Sequence, residues 1–518
     1  MRKILFISAL MLTAAASAQE TYENAKIATE DLNGTARYVG MGGALDALGA
    51  DISTIGTNPA GIGLFRHTTA NVSFGFVSQQ GGRNFANGDK TNMSFDQIGF
   101  VYSKRTGSSS FLNVAFNYHK SRNFDYILSA AGALNGASQN KLSYLKGANG
   151  IFDVVDDNND GILEGTNSTF NQLDYLYYNS LITDQNGDYF YTDATGYMMN
   201  RANTGYIGEY DFNISGNIND RIYLGLTFGI SDVNYKSYSE YVESLIDKGA
   251  DAGNVLISDE RRISGTGFNI KAGVIIRPIE ENPFRIGVSV ATPTWYDLTT
   301  SNSTYLTNNS TVGLYDNGQI GESYDFKLYT PWKFGLSLGT TFGNFLAVGA
   351  SYEFADYGSL DSRLNTGSGY DFDYGGYWES SSSDDNMNRH TENTLKGVST
   401  FKIGAELKPD SKFSVRLGYN YVSPMYEKFG FKDGTISSPG SYYSSATDYT
   451  NWKATNRITC GIGYMLGKLS LDLAYQYSVQ SGDFYPFAND ARFQDNRCNA
   501  VNVDNKRHQM LLTLGYHF

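Results

Sequence analysis

The chain has 518 residues, including 56 Gly, 39 Tyr and 31 Phe against 9 Pro and 2 Cys, with a formal charge of −13. Mean hydropathy is −0.35, and beyond the amino terminus no run approaches the roughly 18 apolar residues of a membrane-spanning helix. These features exclude helical spans, make nucleic acid a poor partner because phosphate binding needs a basic patch, and leave too few cysteines for a disulfide framework.

Met1-Arg2-Lys3 is a short positive start, Ile4 to Ala16 is apolar, and Ala16-Ser17-Ala18 is a small-residue cleavage site. The pattern predicts a secretory signal over residues 1–18, with a mature chain beginning at Gln19. The apolar stretch is too short to cross about 30 Å of hydrocarbon as a helix, and no Cys stands nearby to carry a lipid.

Residues 19–67 do not alternate. They carry helical spacing (Ala25, Ala28, Leu32; Leu45, Leu48) and frequent Gly. In Thr57-Asn58-Pro59-Ala60-Gly61, Asn58 suits a helix N-cap and Pro59 a first helical residue, which predicts a short helix there. A segment this rich in small residues, just before the first strand, is expected to sit inside a barrel as a hatch.

From residue 68 the chain alternates with the period of a strand. Ile222, Leu224, Leu226, Phe228 and Ile230 oppose Tyr223, Gly225, Thr227, Gly229 and Ser231. At the end Met510, Leu512, Leu514, Tyr516 and Phe518 share one parity, and the last residue is aromatic. Strands are predicted over 68–79, 92–104, 110–127, 204–217, 221–241, 257–277, 284–299, 321–341, 344–359, 393–408, 412–427, 452–466, 468–481 and 505–518. Even-numbered strands run into tight turns such as Thr106-Gly107 and Lys408-Pro409-Asp410-Ser411, whereas odd-numbered ones lead into longer connections, the second spanning residues 130–203. This predicts an all-β fold, a transmembrane antiparallel β-barrel of about 14 strands over residues 68–518, with 12 and 16 as neighbouring even counts.

Lys271, Lys402, Glu406, Arg416, Arg457 and Asp472 fall on the parity opposite their greasy neighbours. A Lys or Arg facing lipid at mid-membrane would cost roughly 2–4 kcal/mol, so these six are expected to line the lumen. They would either pair with one another and stiffen the wall or handle a ligand head group. Cys460 shares the outward parity of Ile458, Ile462 and Tyr464, and Cys498 lies in the final loop. Two free thiols are expected.

Asp156, Asn158, Asp160 and Glu164, with Gly161, match the opening of a calcium loop, although the twelfth place is Asn167 rather than the bidentate Glu. Either a structural Ca²⁺ or a solvated acidic tip fits. No other cofactor is expected. Gly335-Leu336-Ser337-Leu338-Gly339 spells a nucleophile elbow but lies inside a strand, where the required corner is missing. The five His residues are scattered, so no enzyme is expected.

The signal-like start, the Gly/Ala-rich segment, NPAG directly before a strand, Ala291-Thr292-Pro293-Thr294-Trp295-Tyr296, Thr330-Pro331-Trp332-Lys333-Phe334 and Arg457-Ile458-Thr459 together resemble the outer-membrane long-chain fatty-acid transporter family, FadL, in its Bacteroidetes-type members. The resemblance spans nearly the whole mature chain. It implies a 14-stranded barrel with an amino-terminal hatch to which Asn58, Pro59 and Ala60 belong. It also implies passive inward passage of hydrophobic molecules such as fatty acids, held in an apolar lumen pocket and released sideways through a kinked early strand. The partners implied are outer-membrane lipid and lipopolysaccharide around a monomeric barrel in a Gram-negative bacterium. The long second outer loop and the polar lumen parities depart from that pattern. Competing functions are a general diffusion porin, which needs no plug, and an adhesin or structural barrel acting through the 130–203 loop.

Overall fold

The structure, a computed structural model, describes residues 20–314, 317–371 and 375–518. The predicted signal over residues 1–18, and Gln19 after it, lie outside the described residues. Fourteen antiparallel strands close on themselves: β1 (Thr69–Gln79), β2 (Thr91–Arg105), β3 (Phe111–Asn123, resumed as Tyr126–Ala133), β4 (Asp193–Ile218), β5 (Ile222–Asp247), β6 (Ala250–Ile276), β7 (Arg285–Ala291, resumed as Trp295–Ser310), β8 (Gly318–Tyr329, resumed as Lys333–Phe342), β9 (Leu346–Asp356), β10 (Gly397–Leu407), β11 (Phe413–Val422), β12 (Tyr449–Leu466), β13 (Leu469–Tyr485) and β14 (Val501–His517). Each pairs with its sequence neighbour, and β14 returns to β1 with Thr69 opposite His517 and Gln79 opposite Arg507. Closure leaves no free edge within the hydrocarbon, where an unpaired backbone group would find no water.

The outward face carries the greasy parity. Ile222, Leu224, Leu226, Phe228 and Ile230 are exposed, as are Met510, Leu512, Leu514, Tyr516 and Phe518. On β5 the outward apolar run stops at Ile230 and Asp232 follows, exposed. Cys460 faces out, Cys498 is buried, and both thiols are free.

Several predicted boundaries move, for identifiable reasons. The connection from β5 to β6 is the two-residue turn Lys248-Gly249, both at positive φ, not a long loop. Those strands continue past the apolar band because the hydrogen-bond ladder needs partners, not lipid. Much of the predicted 130–203 loop is likewise ladder, Tyr126–Ala133 against residues 196–203. The loop proper is 134–192, with α-helices at Gln139–Ala148 and Gln172–Tyr177 and a buried core around Phe152, Phe170, Leu176 and Tyr178. The predicted strand 393–408 starts four residues late, because Asp385–Thr394 is a helix capped by Asp384.

The predicted strands 284–299 and 321–341 are each broken at a proline, which cannot donate to a ladder. The breaks, Thr292-Pro293-Thr294 and Thr330-Pro331-Trp332, stand side by side: Thr294 N–H donates to Thr330 Oγ1 (2.8 Å) and Thr330 N–H to the Thr294 carbonyl (3.2 Å). The predicted strand 110–127 is interrupted at Phe124-Asp125, opposite Gly205 at φ 109°.

Candidate functional site

Residues 20–66 lie inside the wall. The segment opens on an α-helix, α1 (Thr21–Ala28), capped by Glu20, and a short α2 (Ala36–Gly40), capped by Thr35, follows. Residues 41–48, where Leu45 and Leu48 suggested helical spacing, form a chain of turns. Pro59–Leu64 is a 3₁₀ helix whose cap, Asn58 Oδ1, accepts the Ala60 N–H at 3.2 Å. Asn58, Pro59 and Ala60 are all buried.

Inward glycines explain how the second half of this segment fits. Gly339, Gly349, Gly404 and Gly418 stand opposite one another in register across β8 to β11. A Cβ on Gly349 would lie 2.0 Å from the Ala44 carbonyl oxygen, on Gly404 2.2 Å from that of Met41, and on Gly418 2.2 Å from the Gly42 nitrogen. Across the lumen Gly225 pairs with Gly273, and there a Cβ would meet the Pro59 carbonyl carbon at 2.3 Å and Asn58 Oδ1 at 2.0 Å. The wall therefore has side-chain-free seats for two turns of inner backbone. The signal was present in the sequence as glycines on inward parities, but which backbone they receive is a tertiary fact.

The six charged lumen candidates all point inward and all have partners. Glu406 accepts from Arg37 Nε (3.0 Å) and Arg416 Nε (2.6 Å), and Arg416 also reaches Asp472 (2.6 Å). Lys402 lies 3.8 Å from Asp46 and 4.0 Å from Glu353. Arg457 donates to Asn420 (2.8 Å) and stands 3.7 Å from Asp31. Lys271 binds Glu209 and, at 3.2 Å, Asp211. Glu406, Arg416 and Asp472 thus pair with one another, one of the two expected alternatives, whereas the partners Arg37, Asp46 and Asp31 come from the inner segment and carry no local signal in the sequence.

Above the glycine seats lies a cavity of about 310 Å³. Phe124, Tyr126, Leu128, Tyr235, Tyr449 and Trp452 supply apolar surface, while Arg122, Arg457 and Arg507 face Asp31. Asp31 accepts from Arg122 Nη1 and from the Asn123 N–H, each at 3.0 Å, and its own N–H donates to the Ser121 carbonyl (2.7 Å). Burial would raise the Asp31 carboxyl, but the three guanidiniums and the Asn123 N–H outweigh it and hold it below the usual carboxylate range. Arg122, Arg457 and Arg507 thus converge on Asp31, within a cavity whose lining carries nine acidic and nine basic side chains in all. The wall beside it is irregular: a register shift between Lys120 and Arg122 precedes the break at Phe124-Asp125.

The acidic stretch from Asp156 to Glu164 sits at an exposed tip of the 134–192 loop. There Asp156 accepts the Asp160 and Gly161 N–H groups, each at 3.0 Å. Among the described residues, three His, Asp and Glu side chains converge at His119, Glu209 and Asp211, whose nearest ligand atoms lie within 4.8 Å of one another. Ser337, at the centre of the elbow-like pattern, stands in mid-strand opposite Gly287 and Ser351, with Leu336 and Leu338 facing lipid.

No family model matches the chain, and no curated protein matches its sequence. Among solved structures, a FadL homologue from Pseudomonas aeruginosa superposes with a TM-score of 0.52 at 12% identity, over 95% of this chain and 100% of that one. The toluene transporter TbuX of Ralstonia pickettii superposes at 0.46 with 13% identity, over 94% and 99% of the two chains. Pseudomonas putida TodX, also a toluene transporter, superposes at 0.46 with 11% identity, over 95% and 99%. The first of these establishes the shared fold: this chain is built as that FadL homologue is.

Proposed function

We propose that the protein is a passive outer-membrane channel for hydrophobic compounds, with long-chain fatty acids or similar amphiphiles as its ligands. The carrying observation is the stoppered, lipid-facing barrel with an amphipathic cavity above the stopper. In this reading residues 20–66 are the hatch. An apolar tail would lie against Phe124, Tyr126, Leu128 and Trp452, and an anionic head would face Arg122, Arg457 and Arg507. The three guanidiniums gathered on one carboxylate favour a ligand bringing a second carboxylate over a bare hydrocarbon, since charge-assisted hydrogen bonds are stronger than neutral contacts. The break in β3 beside the cavity supports sideways release into the bilayer. A general porin fits less well, because residues 20–66 occupy the bore that free diffusion needs.

The test is uptake into liposomes of a labelled long-chain fatty acid and of the matching neutral alcohol. The protein should accelerate both over protein-free liposomes, the acid more. Arg457→Gln should reduce the preference for the acid. Equal rates with and without protein, for both compounds, would reject the reading.

A further inference from the structure

We propose that His119, Glu209 and Asp211 form a binding site for a divalent first-row transition-metal ion, independent of the transport reading. The three residues come from adjacent strands, β3 and β4, with Lys271 of β6 behind them. Lys271 takes one oxygen of each carboxylate, Glu209 Oε1 and Asp211 Oδ1. The other oxygens turn toward the imidazole: Asp211 Oδ2 is 3.5 Å from Nδ1 and Glu209 Oε2 is 3.8 Å from Nε2. Asp211 is fully buried, yet its Oδ2 has no hydrogen-bond partner. Buried acceptors are rarely left unsatisfied, so one in this position marks a missing group.

One imidazole nitrogen and two carboxylate oxygens are the donor set of Zn²⁺, Mn²⁺ or Fe²⁺ rather than of Ca²⁺. Lys271 then acts from the outer shell, orienting the ligating carboxylates through their second oxygens and offsetting part of their charge. His119 and Glu209 line the cavity, which gives the ion an entry path and leaves a coordination position facing it. The inner segment crosses here without filling the site: a Cβ on Gly56 would stand 3.7 Å from His119 Cε1 and 3.8 Å from Lys271 Nζ. The rival occupant is a proton on His119, which would balance the two carboxylates and the ammonium without any metal.

Calorimetry of the purified, detergent-solubilised protein with Zn²⁺ at neutral pH should give one site per chain. Asp211→Asn and His119→Ala should each weaken it at least tenfold. Cu²⁺ loaded into the unaltered protein should show coupling to one imidazole nitrogen by electron paramagnetic resonance, a readout that needs no variant to fold. No Zn²⁺ binding, binding unchanged in folded His119→Ala, or a Cu²⁺ signal without nitrogen coupling would overturn the site and leave the proton as its occupant.

Discussion

The two halves of the inner segment are held by different physics. Residues 20–33 reach the wall through side chains: Glu23 pairs with Arg261 of β6, Glu30 with Lys333 of β8, and Asp31 with Arg122 of β3. Tyr22 stacks on Tyr426 at 5.2 Å and donates to Asn451 (2.8 Å), and Thr21 meets His390 and Thr391 of the outer helix. Residues 36–64 carry ion pairs as well, but they also press backbone against backbone at the glycine seats. Ion pairs can exchange one partner for another; a steric seat cannot. The comparison implies that the first half should be displaced more readily than the second.

The largest effect is expected from filling a seat. In Gly418→Val the first added carbon would land 2.2 Å from a backbone nitrogen, so the cost should exceed the roughly 1–3 kcal/mol of ordinary overpacking. Planar-bilayer recordings should then show frequent open-channel steps that the parent protein lacks. A variant as silent as the parent would break the comparison.

Next comes Glu23→Gln, which removes the carboxylate paired with the buried Arg261 and leaves Asp259 as a remaining countercharge, at a cost of up to about 3 kcal/mol. Only the first half should loosen. Limited proteolysis should cut within residues 20–33 while conductance stays low.

Acid should act in the same direction. Burial would raise the Glu23 carboxyl, but Arg261, Lys26 and Lys432 outweigh it and hold it below its ordinary value. Its contribution is therefore fully present above the unfolded-state pKa of about 4.3 and is lost as pH falls through the lower folded value. Protease sensitivity of residues 20–33 should rise below about pH 4, and in Glu23→Gln that rise should be smaller.

The smallest effect belongs to Asn58→Ala. It removes the acceptor for the Ala60 N–H, a cap worth about 1 kcal/mol. Barrel assembly should survive, as judged by heat-modifiable gel mobility, with a modest change in fatty-acid uptake. Complete loss of assembly would mean that Asn58 holds the wall as well as the 3₁₀ turn.

The sequence by itself determined the wall. Strict alternation at Ile222–Ser231 and at the carboxy terminus specifies which face meets lipid, because a one-residue slip would turn every such side chain inward. The inward parity of Lys271, Lys402, Glu406, Arg416, Arg457 and Asp472 was legible for the same reason. Strand ends outside the membrane were not, since β5 and β6 continue on hydrogen bonds that leave no apolar signature. Nor were the breaks in β7 and β8 as a pair, because Pro293 and Pro331 become neighbours only through the register.

What only the tertiary structure decided is everything that joins the segment of residues 20–66 to the wall. Asp31 among three arginines, Met41 to Ala44 against the glycines of three strands, and Gly56 beside His119 are contacts between residues far apart in the chain. Alternation reports the side on which a residue stands, which is a local property; the partner it meets across the lumen is set by how the closed barrel receives the segment within it.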